Sequence, residues 1–102
     1  MNTKERQLLT IVMTPDIEDT IVDWLLEQPD IEAVNSYSIK SYNKDHSKYT
    51  PLEKVTGWKR KTTLRIILPS EVIVEVTALM KVKFANSGIY YRIASFLDEG
   101  IL

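Results

Sequence analysis

The side chains with the greatest capacity for chemistry lie together in one basic stretch, residues 43–61. Its six lysine and arginine side chains can bind phosphate groups or an acidic protein surface. Its aromatic rings can stack on a ligand or anchor a partner. The alternative is a solvated run of charge with Trp58 folded back on the body. We predict a ligand- or partner-binding surface formed by Lys44, His46, Lys48, Tyr49, Lys54, Trp58, Lys59 and Arg60.

The distribution of charge supports this prediction. Residues 40–61 carry seven bases and two acids, a net charge of +5, whereas the rest of the chain carries −6. Residues 16–32 alone contain seven acids and no base. This pattern is typical of a basic element for an anionic partner, set on an acidic body that discourages non-specific binding to nucleic acids.

His46 is the single histidine of the chain. With Asp45 beside it and Glu53 further along, it could contribute to a weak metal site, above all if symmetry brought several copies together. Metal sites need about three or four ligands. An exposed loop histidine is therefore the simpler interpretation, and we predict no metal site.

Residue patterns of catalytic centres are missing. The chain has no cysteine for a disulfide, a zinc thiolate or a nucleophile, and it has no nucleophile elbow. Its three glycines, Gly57, Gly88 and Gly100, form no phosphate-cradling loop. We expect a protein that works by binding, with no catalytic residues and no cofactor, rather than an enzyme.

Periodicity predicts six regular elements. Alternating or β-branched runs indicate strands, and apolar spacings of three and four indicate helices. For the first helix, Thr14 and Pro15 supply an N-cap and a first residue, and for the second helix Ser70 supplies the N-cap. The predicted strands are residues 8–13, 31–42, 62–68 and 89–97, and the predicted helices are residues 15–28 and 70–85.

This order, βαββαβ, predicts an α+β ferredoxin-like fold: a four-stranded antiparallel sheet with both helices on one face. At 102 residues the chain has the length of one domain, residues 1–102. The second and third strands are joined by a loop, residues 43–61, that greatly exceeds the two to five residues of an ordinary hairpin connection. Doubled back on itself, such a loop reaches about 30 Å.

The sheet face opposite the helices is predicted to be apolar, because Leu8, Val12, Val34 and Ile67 fall on it. Scattered exposed apolar residues are normal. A contiguous patch of this kind, however, favours packing against copies of the same chain.

Residues 1–7 are polar and mixed in charge, and no apolar run approaches the roughly 20 residues that span a bilayer. The sequence thus predicts neither a signal peptide nor a transmembrane helix. With the lack of cysteine, it favours the cytoplasm.

The order of elements, the Met-Thr-Pro-Asp sequence at residues 13–16 and the long loop together carry a family resemblance. The chain resembles the PII-like superfamily, which includes nitrogen regulatory PII proteins and CutA. More narrowly, it resembles an uncharacterised bacterial PII-like family often encoded beside heavy-metal efflux pumps. The glycine-rich nucleotide loop of PII proteins is reduced here to Asn-Ser-Gly at residues 86–88.

The resemblance implies a homotrimer with inward-facing sheets, a small anion or nucleotide as ligand, and a T-loop, residues 43–61, that docks into a protein target. Lys44, Tyr49, Lys54 and Trp58 would then be contact residues. One alternative is a CutA-like, metal-responsive accessory protein of an efflux system. Another is a nucleic-acid-binding module of the RNA-recognition type. The third strand, residues 62–68, lacks the aromatic residues of such modules, so no nucleic acid is expected.

Overall fold

A computed structural model describes residues 5–102. Four strands, β1 (Arg6–Met13), β2 (Asn35–Ser41), β3 (Lys59–Pro69) and β4 (Tyr90–Ser95), form one antiparallel sheet in the order β2-β3-β1-β4. The long helices are α1 (Glu18–Leu26) and α3 (Ser70–Lys83), and a short helix, α2 (Pro51–Thr56), lies in the loop between β2 and β3. The predicted ferredoxin-like order is confirmed. Residues 1–4, part of the predicted polar stretch 1–7 and of the predicted domain 1–102, lie outside the described residues.

The core lies between the sheet and the two long helices. Successive side chains of a strand point to opposite faces of the sheet, so alternate residues of the two central strands face the helices. Strands β1 and β3 pair in register from Arg6 with Pro69 to Met13 with Thr62, which places these residues side by side. Helix α3 buries positions spaced by three and four, as expected for one face of a helix. The central core residues are Leu9, Ile11 and Met13 of β1, Leu64, Ile66 and Leu68 of β3, Ile21 and Leu25 of α1, and Ile73, Val76 and Met80 of α3.

The polar contacts of Glu18 fix the first turn of α1 to the sheet. Its carboxylate accepts hydrogen bonds from the hydroxyls of Thr62, at 3.1 Å, and Ser36, at 2.7 Å. Thr14, predicted as the N-cap, makes no side-chain capping bond, because a 3-10 turn at Pro15–Ile17 precedes the helix. Ser70 was also predicted as an N-cap, but it is the first residue of α3. Its hydroxyl donates to the Glu5 carbonyl instead of capping the helix.

The predicted starts of β2 and β3 and one face assignment are wrong. Strand β2 begins at Asn35 rather than at Ile31, because Ile31 continues from the end of α1 by donating its N–H to the Gln28 carbonyl and is buried in the core. Val34 also packs against the core instead of lying on the opposite face. Strand β3 begins at Lys59, so the last three residues of the predicted loop belong to the sheet.

No helix of the part that the structure describes is long and apolar enough to cross a membrane.

Candidate ligand and partner site at the base of the loop

Tyr49 holds the loop between β2 and β3 in a folded conformation. Its side chain is only 7% exposed. The phenol oxygen accepts a hydrogen bond from the Asn43 N–H at 3.1 Å and donates to the Ser41 carbonyl at 3.4 Å. The His46 ring stacks on it, with 4.3 Å between ring centres and 12° between planes. Tyr49 therefore anchors the loop to the end of β2.

The centre of the loop is the short helix α2, which the sequence interpretation missed. Thr50 and Glu53 form a capping box: the Glu53 N–H donates to the Thr50 hydroxyl at 3.2 Å, and the Thr50 N–H donates to the Glu53 carboxylate at 2.8 Å. Pro51 occupies the first turn, and Gly57 ends the helix with a φ of 86°, a left-handed conformation that favours glycine. Both ends of α2 are thus capped by local residues.

Lys59 ties the two ends of the loop together. Its ammonium donates to the Lys48 carbonyl at 3.2 Å and lies 3.6 Å from the Glu53 carboxylate. It also lies 5.8 Å from the centre of the Tyr49 ring. The Lys59 side chain therefore contacts the segment before α2 at Lys48, the capping box at Glu53 and the anchoring ring of Tyr49.

Trp58 lies against the strands rather than in solvent. Its half-buried ring has the Lys40 ammonium 5.1 Å and the Arg60 guanidinium 5.4 Å from its centre. Such distances are those of cation–π contacts. Trp58 and Arg60 are engaged with the body and are not brought into a common site with Lys44 and Lys54, which are exposed.

A cleft of about 530 Å³ lies where the loop meets the body. Its walls come from the end of β1, the loop, the start of β3 and the turn before β4. Such a volume lies within the usual range of small-molecule sites, about 300–1,000 Å³. The polar residues that line it include Asn43, Lys48, Lys59, Lys61 and Ser87, with Gly88 at its edge.

The cleft is cationic. Three lysines line it against one acid, Asp45. The Asp45 carboxylate accepts a hydrogen bond from the Ser47 N–H at 2.9 Å, and this bond is the main cause that lowers the pKa of Asp45. The Asp45 carboxylate is therefore engaged in a hydrogen bond within the loop and stays charged. Three lysines against this one acid leave the cleft with a net positive charge, which favours a small anion. Lys61 was among the six basic side chains expected to bind phosphate, whereas Asn43, Ser87 and Gly88 were not predicted, since only the tertiary fold brings them beside Lys48 and Lys59.

The outer side of the loop is partly apolar. Leu52 and Val55, three residues apart on α2, are 71% and 84% exposed. Lys54 lies between them in sequence. Both ends of α2 are capped, so these side chains are held on a folded element. Their spacing of three, on one face of a helix, was the signal in the sequence that could have identified them.

The metal site considered for His46, Asp45 and Glu53 does not form within residues 5–102. No group of three or more potential ligands comes together there. The His46 ring is stacked on Tyr49, and the Glu53 carboxylate is engaged in the capping box.

Acidification is expected to open the capping box. The hydrogen bond from the Thr50 N–H, followed by the nearby Lys59 charge, lowers the pKa of Glu53 below its ordinary value of 4.5. Its contribution to loop stability is complete above that value and is lost as the pH falls through the lowered pKa. The Thr50 amide resonance should therefore shift in an NMR titration with a midpoint below 4.5.

Glu53→Gln provides the control, because a glutamine oxygen still accepts the Thr50 N–H in a capping box. The transition should disappear in this variant. The same transition in Glu53→Gln, or a wild-type midpoint at or above 4.5, would contradict the assignment.

The fold is shared with CutA and PII-like proteins. The Archaeoglobus fulgidus periplasmic divalent cation tolerance protein CutA has a TM-score of 0.65 at 17% identity, covering 92% of this chain and 86% of that one. CPII of Thiomonas intermedia K12, a nitrogen regulatory PII-like protein, has a TM-score of 0.65 at 9% identity, covering 94% and 97%. At these identities the likeness establishes the fold alone.

The chain belongs to the DUF3240 family, described as a protein of unknown function, whose model matches residues 3–102. A DUF3240 family protein from Shewanella baltica OS155 has a TM-score of 0.74 at 19% identity, covering 98% of this chain and 99% of that one. No curated protein matches the chain.

Proposed function

We propose that this protein is a PII-like regulator that binds a small anion or nucleotide in the basal cleft and acts on a protein target through the loop. The cleft itself carries the proposal, because residues of the folded loop and residues of the body line it together. A ligand bound there contacts both and therefore couples its own binding to the conformation of the loop. The protein acts without catalysis, as a homotrimer in the cytoplasm.

Lys59 is the coupling residue of this proposal. Its ammonium is shared between the Lys48 carbonyl and the Glu53 carboxylate. An anion in the cleft competes with both acceptors for that ammonium. Withdrawal of Lys59 from Glu53 removes one contact that holds α2 in place, so the ligand changes how the loop presents α2.

The target contact lies on the outer side of the loop. Leu52 and Val55 supply exposed apolar area, and Lys44 and Lys54 supply positive charge. A complementary surface is an apolar patch with acidic residues at its rim. The proposed partner therefore presents an apolar surface rimmed by acidic residues, and no particular protein is specified.

The relatives support a small anionic ligand. The Thiomonas intermedia protein was solved bound to ADP, AMP and bicarbonate. These three compounds are the probes to use here, since each is an anion that a cluster of lysines attracts. Divalent cations are the alternative ligands to test, because the Archaeoglobus fulgidus protein is named a periplasmic divalent cation tolerance protein.

Lys61→Ala is expected to weaken binding of ADP, AMP or bicarbonate at least tenfold, measured by isothermal titration calorimetry. Lys61 lines the cleft and makes no hydrogen bond or ion pair with the loop among the contacts of the described residues. Its removal therefore lowers the positive potential while leaving the loop folded. Lys83→Ala, an equal loss of charge on the exposed end of α3, should bind like the wild type.

The proposal fails if none of the three anions binds, or if Lys61→Ala and Lys83→Ala bind equally well. Binding of divalent cations alone would favour the CutA-like accessory role. Salt-dependent binding of single-stranded RNA would favour the nucleic-acid module.

A further inference from the structure

The solvent sides of the two long helices differ in character. Helix α1 exposes Asp19, Thr20 and Asp23, as expected for a helix that packs against the core on one side and meets water on the other. Helix α3 is apolar on its solvent side as well, where Val74 is 64% and Val82 is 82% exposed. An apolar strip on the side away from the core is typical of a helix that contacts a further partner.

The exposed residues of α3 are arranged symmetrically about Ala78. Val74 lies four residues before Ala78 and Val82 four residues after it. Glu75 lies three residues before Ala78 and Lys81 three residues after it. At 3.6 residues per turn, all five lie within about 60° of the direction of Ala78. We call these five residues the outer face of α3.

The two charges of the outer face have no opposite charge to pair with on their own helix. Helical ion pairs form between residues three or four apart, and the residues at those distances from Glu75 and from Lys81 include none of opposite charge. Within residues 5–102 neither side chain makes an ion pair. The Lys81 ammonium lies 5.5 Å from the centre of the Tyr91 ring. Both charges are therefore available to a partner.

We propose that the outer face of α3 binds the same face of a second copy, with the two helices antiparallel. A two-fold axis through Ala78 exchanges each position before this residue with the position equally far after it. Glu75 of each copy then lies opposite Lys81 of the other copy, and Val74 lies opposite Val82. The small Ala78 side chain at the crossing lets the helix axes approach to the short end of the usual range, about 8–10 Å.

This pairing goes beyond the proposed function and does not rest on it. The proposed trimer is built on the sheets, and α3 lies on the other side of the core, so one contact leaves the other free. One helix face is small beside the roughly 1,200–2,000 Å² that stable interfaces bury. The pairing should therefore be weak, form at high protein concentration and leave the stability of the protomer in dilute solution unchanged.

A single cysteine can trap such a weak contact. The chain has no cysteine of its own, and Ala78→Cys places one thiol on the proposed axis, beside the same thiol of the second copy. With diamide as oxidant, disulfide-linked pairs of chains should form at least about tenfold faster than in Thr20→Cys. Thr20 is equally classed as exposed but lies on α1, outside the outer face. Non-reducing electrophoresis measures both rates at one protein concentration.

A charge exchange in the Ala78→Cys protein tests the antiparallel arrangement. Adding Glu75→Lys or Lys81→Glu places like charges opposite each other twice and should slow cross-linking about tenfold. Adding both substitutions should restore the rate, because the pairs are rebuilt with their charges reversed. The two single reversals change the charge near the thiol in opposite directions, so slowing in both reports the pairing and not the reactivity of the thiol.

Asp23→Lys on α1 and Lys83→Glu on α3 are the matched controls for net charge. Both residues are exposed and lie outside the outer face, so either substitution should leave the cross-linking rate of Ala78→Cys unchanged. Equal rates for Ala78→Cys and Thr20→Cys would overturn the proposal. It is also overturned if the single reversals at Glu75 and Lys81 keep the full rate, or if the double reversal is no faster than the single ones.

Discussion

Replacing Tyr49 with alanine is expected to make trypsin cleave the loop about a hundredfold faster than in the wild type. The ring is almost fully buried, and it supports the His46 ring, the two hydrogen bonds to the end of β2 and the Lys59 contact. Loss of a buried aromatic side chain costs about 3–5 kcal/mol. About 3 kcal/mol of local opening free energy corresponds to a hundredfold change when opening is fast relative to cleavage.

Two variants separate the ring from its hydroxyl. Tyr49→Phe keeps the ring and loses only the hydrogen bonds to Asn43 and Ser41, each worth about 1 kcal/mol, so cleavage should rise by about thirtyfold or less. Tyr42→Ala removes an exposed ring and should leave the rate unchanged. Mass spectrometry should place the new cuts after Lys44, Lys48 and Lys54. Equal cleavage of the Tyr42 and Tyr49 alanine variants would show that Tyr49 does not anchor the loop.

Leu64→Ala is expected to lower the free energy of unfolding by about 2–5 kcal/mol, measured by urea denaturation. Leu64 is fully buried at the centre of β3, opposite Ile11 of β1. The surrounding strands and helices can only partly close the cavity that alanine leaves. For a domain of this size the melting temperature should fall by about 10 °C or more.

Val74→Ala is the matched control, because Val74 is exposed on α3. It should change the free energy of unfolding by less than about 0.5 kcal/mol. Both variants must be measured at one protein concentration, since assembly adds to apparent stability. A Leu64 variant as stable as the Val74 variant would place the core elsewhere.

The core could be predicted from periodicity. Leu9, Ile11 and Met13 alternate with half-buried or polar neighbours, and that period of two is the signature of a strand with one buried face. Helix α3 was predicted despite its many β-branched residues, because its length exceeds that of a strand. Its details were less predictable: Ile73 is fully buried, whereas the equally apolar Leu79 is exposed.

The loop shows where sequence reasoning stops. The capping box at Thr50 and Glu53 was present in the sequence, but the basic composition of residues 43–61 favoured a partner-binding interpretation. Tyr49 was therefore interpreted as a contact residue, although it is an internal anchor. The cleft could not be predicted at all, because Ser87 and Gly88 come from a distant turn.

The self-contained folding of the loop has a consequence for how such a protein can diversify. Apart from Tyr49, which lies outside the main core cluster, no residue of 42–58 is buried, and the loop is closed by its own caps, its own anchor and Lys59 at its boundary. Its sequence can therefore be exchanged with little effect on the stability of the sheet and its helices. Under the proposed function, the residues that contact a target and the residues that fold the core lie in separate parts of the chain, so a new target can be acquired by changing the loop alone.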